Sequence, residues 1–139
     1  DGAGMTHLVA YLTTAVVFLA VDAVWLGFVA RDFYAERLGG LMKSPVDLRI
    51  AAGFYAVYVV GIVIFAVAPA LEADAWRTAL VKGALFGFFA YATYDLTNLA
   101  TLEGWPVSVS VVDVVWGTGL TGGSALMGFV LTKKLVGTG

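Results

Sequence analysis

Leu48–Ala68 reads LRIAAGFYAVYVVGIVIFAVA, an apolar run with one charge, Arg49, near its edge. A helix needs about 20 consecutive apolar residues to cross the roughly 30 Å hydrocarbon core of a bilayer. This stretch supplies them, and Pro69 is expected to stop the helix. Three further stretches have the same character, from about His7 to Ala30, Trp76 to Ala100 and Val107 to Leu131. In lipid, backbone N–H and C=O groups must be satisfied internally, so spanning segments of this kind are helices. The expected fold is all-α: a polytopic membrane protein built as a four-transmembrane-helix, up-and-down bundle, with both termini on one side. The bundle forms a single domain over residues 5–139. Asp1-Gly2-Ala3-Gly4, ahead of Met5, reads as a vector-derived leader.

Composition supports this class. The 139 residues are 60% hydrophobic and 13% charged, against about 45–50% and about 25% in soluble domains. Mean hydropathy is +0.91. The lipid bilayer is therefore the first expected partner. A net charge of −2 leaves no basic stripe for nucleic acid. There is no cysteine, and His7 is the single histidine, so thiolate metal sites and histidine-ligated haem or zinc are not expected. No cofactor is expected.

The longest connection, Arg31 to Asp47, admits two readings. One is a short interfacial helix with Phe33 and Leu38 or Leu41 dipping toward lipid; the other is a plain polar loop. Gly39-Gly40 and Pro45 break any helix there. Pro106 suits the first turn of the last helix. Trp76 and Trp105 fall at opposite ends, as interface anchors do. Arg31, Arg37, Lys43 and Arg49 lie on one side and Arg77, Lys82, Lys133 and Lys134 on the other. Four against four, the positive-inside rule selects neither orientation. Gly83/Gly87 and Gly119/Gly123 are small-xxx-small pairs, which let helices approach within the bundle or across a homo-oligomer seam.

Three aspartates, Asp22, Asp95 and Asp113, lie inside these apolar stretches, where a carboxylate costs roughly 2.5–3.5 kcal/mol on insertion scales. Alternating spans place Asp95 and Asp113 about 10 Å, and Asp22 about 13 Å, below the face that carries the Arg31–Asp47 and Thr101–Pro106 connections. Tyr55 falls at a similar depth. Same-face companions at i+3 are Trp25 for Asp22, Asn98 for Asp95 and Trp116 for Asp113, with Tyr91 alongside. The candidate functional cluster is therefore Asp22, Asp95, Asp113, Asn98, Tyr55, Tyr91, Trp25 and Trp116. Three ionised carboxylates at one level repel, so the layer calls for a proton, a cation, hydrogen-bond donors, or Arg31 or Arg49 reaching in. An all-oxygen set of Asp22, Asp95 and Asp113 suits a hard cation better than zinc or copper. Val-Asp-x-Val-Trp occurs twice, at Val21–Trp25 and Val112–Trp116. Duplicated halves would match the first helix to the third, so the repeat reads as convergent local chemistry or chance.

The stretch Tyr94-Asp95-Leu96-Thr97-Asn98 through Trp105-Pro106, then Val112-Asp113-Val114-Val115-Trp116-Gly117, resembles a bacterial integral-membrane family known as domain of unknown function 2177. Val21-Asp22-Ala23-Val24-Trp25-Leu26-Gly27, Phe33-Tyr34 and Leu38-Gly39 fit the same resemblance. It implies a small four-helix, multi-pass protein of the bacterial inner membrane, and it supplies neither an activity nor catalytic residues. Three functions suit the residues. One is a small proton- or cation-linked transporter or channel. The second is a membrane enzyme acting on a lipid, although no nucleophile is recognisable. The third is an accessory subunit whose aspartates hold helices together.

Overall fold

The computed structural model describes residues 2–43 and 47–137. Pro45 lies outside them. The described chain is helical throughout its regular structure. Four long helices are α1 (Gly2–Val29), α3 (Leu48–Ala73), α4 (Trp76–Thr101) and α5 (Val107–Val136); a short helix, α2 (Arg31–Leu38), joins the first two. Three of the four expected spans, α1, α3 and α5, are long and apolar enough to cross a membrane. The fourth, α4, has 26 residues, about 39 Å of helix, but Arg77, Lys82, Asp95 and Asn98 make it more polar than the others.

Large apolar side chains face outward along the long helices. Val16, Phe28, Val57 and Val115 are each more than 60% exposed. Water would not tolerate such surfaces, and lipid favours them.

The interior is sealed by small residues. A Cβ on Gly87 would lie 2.4 Å from the Gly117 carbonyl oxygen and 2.6 Å from the Thr121 Cβ, and one on Gly83 would meet Ala125 at 2.7 Å. These contacts fix α4 against α5. Gly119 and Gly123 have open space around them, so that pair faces away from the seam. Gly87→Ala is therefore expected to destabilise the fold by about 1–3 kcal/mol, the usual cost of overpacking a tight contact. Gly119→Ala should leave it unchanged. Thermal unfolding of the detergent-solubilised protein distinguishes the two.

α1 runs antiparallel to α5. Thr13 Oγ1 lies 3.2 Å from Thr132 Oγ1 at one end, and Trp116 reaches Asp22 toward the other.

Several boundaries differ from expectation. Pro69 does not end α3, which continues to Ala73. A π-turn over Val63–Val67 precedes the proline, and the Ala68 N–H bonds the Val63 carbonyl, five residues back. The widened turn makes room for the ring and removes the need for the missing N–H. A second π-turn, Trp25–Val29, closes α1. Pro106 stands just before the first residue of α5, with extended backbone (ψ 140°), not within its first turn. Between α1 and α3 the chain forms a helix at Arg31–Leu38 rather than a plain loop. Its Phe33 is half-buried and carries the Arg37 guanidinium 4.1 Å above its ring, whereas Leu41 is exposed. Asp47 caps α3, accepting from the Arg49 N–H at 3.1 Å.

Candidate functional site

The end of the molecule that holds the aspartates is arranged by three contacts. α2 folds over the amino end of α5, where Arg37 Nε donates to Ser108 Oγ at 3.2 Å. α4 lies along α5. α3 leans on α1 through its amino-terminal half, Leu48–Ile62, and approaches the α4 backbone mainly along Val63–Val67. Toward Leu48, α3 and α4 therefore part, leaving a cavity of about 380 Å³ among the four long helices.

Asp22 stands on the cavity wall and is only 6% exposed. Its Oδ2 accepts from the Tyr55 hydroxyl at 2.7 Å and its Oδ1 from the Trp116 indole at 3.1 Å. Tyr55 is held against buried Phe18, ring edge to ring face, with centroids 5.7 Å apart. Asp113, on the opposite wall, accepts from the Tyr34 hydroxyl at 3.0 Å. The same hydroxyl accepts from the Trp25 indole at 3.4 Å. Burial pushes the Tyr34 phenol above the ordinary tyrosine range; the Trp25 indole opposes that shift and the Asp113 carboxylate adds to it. Tyr34 is thus a fixed donor, not a titrating group.

The i+3 companions serve the opposite aspartates. Trp116, expected beside Asp113, bonds Asp22, while Trp25, expected beside Asp22, serves Asp113 through Tyr34. The indoles stack with centroids 4.2 Å apart and planes within 9°. The two Val-Asp-x-Val-Trp phrases thus meet face to face on antiparallel helices. Tyr91 packs flat on Gly117, where a Cβ would come within 2.2 Å of its ring, and joins the cavity wall.

Asp95 has a different situation. It is 0% exposed, and among the described residues neither carboxyl oxygen has a hydrogen-bond partner. Asp113 lies one turn along α5 from Ser110, whose hydroxyl bonds the Asp95 backbone carbonyl at 3.2 Å, so the two carboxyls are neighbours and interact through space. Behind it, Trp105 Nε1 donates to Ser110 Oγ at 3.1 Å, and Ser110 donates to the Asp95 backbone carbonyl at 3.2 Å.

The structure brings Asp22, Asp113, Tyr55, Tyr91, Trp25 and Trp116 to one cavity. Asp95 stands behind Asp113, and Asn98 lies beside Tyr94. Arg31 and Arg49 do not reach in; they are exposed and lie 3.9 Å from Asp32 and Asp47. Among the described residues no three Asp, Glu, His or Cys side chains gather closely enough to form a metal-binding group. Sequence reasoning missed Tyr34. Its signals were its place in a segment of mixed charge and aromatics and the Phe33-Tyr34 pair within the family resemblance, and neither pointed to an aspartate.

A family described as predicted membrane proteins, DUF2177, matches residues 7–130. The chain belongs to this family. The match takes in every side chain of the site, from Asp22 to Trp116, together with Tyr34 in α2. No curated protein and no solved structure matches the chain. The DUF2177 assignment makes it a membrane protein, consistent with its three apolar spans. The chemistry must then come from the site itself. Its features are two carboxyls aimed into an aromatic cavity, each held by phenol or indole donors, and a third carboxyl buried behind one of them.

Proposed function

We propose that this protein is a small membrane carrier that binds a cation at Asp22 and Asp113 and exchanges it for a proton held between Asp113 and Asp95. One observation carries the reading: Asp95 is wholly buried, has no hydrogen-bond donor on either oxygen among the described residues, and neighbours Asp113 across the α4–α5 contact. Two facing carboxylates repel strongly where the dielectric is low, and a shared proton or a bound cation removes that cost. A carboxyl that only held helices together would be bonded to a partner, as Asp22 is.

In this reading α4 is a fourth span. Arg77 and Lys82 lie in its first two turns, where long side chains extend to the interface, and Asp95 faces inward. Four spans give an up-and-down bundle. A single such bundle is small for alternating access, so the carrier works as a homo-oligomer, with outward-facing Gly119 and Gly123 offering a close-packing surface. Its setting is the bacterial inner membrane.

The test is proton movement in liposomes that enclose a pH-sensitive dye. An imposed gradient of potassium, sodium or tetramethylammonium should drive proton counterflow at least tenfold faster than in protein-free liposomes. Asp113→Asn should return the rate to the protein-free level. Equal rates for wild type and Asp113→Asn would remove the reading.

A further inference from the structure

We infer that the cavity takes an organic ammonium ion, an amine or quaternary ammonium group, in preference to a metal ion. The inference rests on the carrier reading above and names its cargo.

Charge comes first. Asp22 and Asp113 line the cavity, and among the described residues no lysine, arginine or histidine does. An anion would be repelled, and a neutral ligand would leave the carboxylates uncompensated. Asp95 adds a third carboxyl behind Asp113, wholly buried and with neither oxygen hydrogen-bonded among the described residues. Asp22 has one donor on each oxygen, and an ionised carboxylate offers about four lone-pair sites. Acceptor capacity therefore remains.

The nature of the wall separates one cation from another. Trp25, Trp116, Tyr55, Tyr58 and Tyr91 surround the space, with Phe54 on its α3 side. A hard metal ion gives up its hydration shell only to about six or more oxygen ligands, and rings do not supply them. A quaternary or alkylated ammonium is weakly hydrated and favours ring faces, tryptophan above all. Trp25 and Trp116 stack on each other, and each keeps its outer face free of the other. A volume of about 380 Å³ lies within the range of small-ligand pockets, about 300–1,000 Å³.

An ammonium group can arrive free in solution or on a lipid head group. The experiment separates these sources. The full chain in an uncharged maltoside detergent is titrated with tetramethylammonium while tryptophan emission is followed, since Trp25 and Trp116 are two of its four tryptophans. Potassium at matched ionic strength and the neutral isostere 3,3-dimethylbutanol are the controls. A parallel arm compares emission in nanodiscs of choline-headed and glycerol-headed lipids. The expected result is a saturable change with tetramethylammonium at least tenfold tighter than with either control, or a head-group-dependent change confined to the choline arm. Asp113→Asn should weaken the response at least tenfold. Trp25→Phe should shrink its amplitude while the protein keeps its elution volume. Equal responses to potassium or the isostere, or no response in both arms, overturn the inference. If liposomes carry potassium but tetramethylammonium does not bind, the cargo class fails and the carrier reading stands. If tetramethylammonium binds and no cation moves protons, the reverse holds.

Discussion

Asp22→Ala is expected to cause the largest loss of stability among single substitutions at the site, about 2–4 kcal/mol in thermal unfolding of the solubilised protein. The carboxylate accepts from Tyr55 on α3 at 2.7 Å and from Trp116 on α5 at 3.1 Å, so it ties three helices together. Hydrogen bonds to a charged group contribute about 1.5–3 kcal/mol each in water-soluble proteins. In membranes the contribution is smaller, because helices find other partners in the unfolded state, and the expected total is reduced for that reason. Truncation also leaves a phenol and an indole without an acceptor. Tyr55→Phe removes only one of the two bonds and should cost about 1 kcal/mol. Combining the two changes should cost less than their sum, because they remove the same bond.

Asp95→Asn is expected to do the opposite. The replacement is isosteric, and among the described residues the native carboxyl accepts from no fixed donor. Its amide can donate to Asp113, which a deprotonated carboxyl cannot. Stability should stay level or rise by up to about 2 kcal/mol, because the amide donates to Asp113 at every pH and no longer depends on the shared proton. Cation-driven proton flux should fall at least tenfold, because an amide does not carry the proton. A carboxyl retained for structure would give the reverse pattern, with lost stability and unchanged flux. Residues that weaken a fold are expected where function requires them.

Much of this site can be read from the sequence, and the part that cannot has a physical cause. Segment length and helical rise place Asp22, Asp95 and Asp113 at one depth, since depth depends only on distance from a connection. Rotation about each helix axis is harder to read. In a soluble helix the polar stripe marks the outside, whereas lipid and the packed interior are both apolar, so α1 and α5 show little difference between faces. Spacing at i+3 therefore finds neighbours on one helix but not bonding partners across two. Hence Trp25 and Trp116 are named by the pattern while their exchange of aspartates is not. Tyr34 escapes for another reason. α2 is eight residues long, and its role depends on folding back over α5. Pro69 marks a stop only if the helix before it keeps regular turns, and the Val63–Val67 π-turn removes that condition.

The central claim is that the Asp95–Asp113 pair gives up a proton when the cavity takes a cation. Calorimetric titration of the solubilised protein, repeated in two buffers of different ionisation enthalpy, counts the protons released on binding. With tetramethylammonium or potassium as titrant, the wild-type protein should release about one proton per cation bound, and Asp95→Asn should release none. Cation binding without proton release, or the same release from Asp95→Asn as from wild type, would contradict the account.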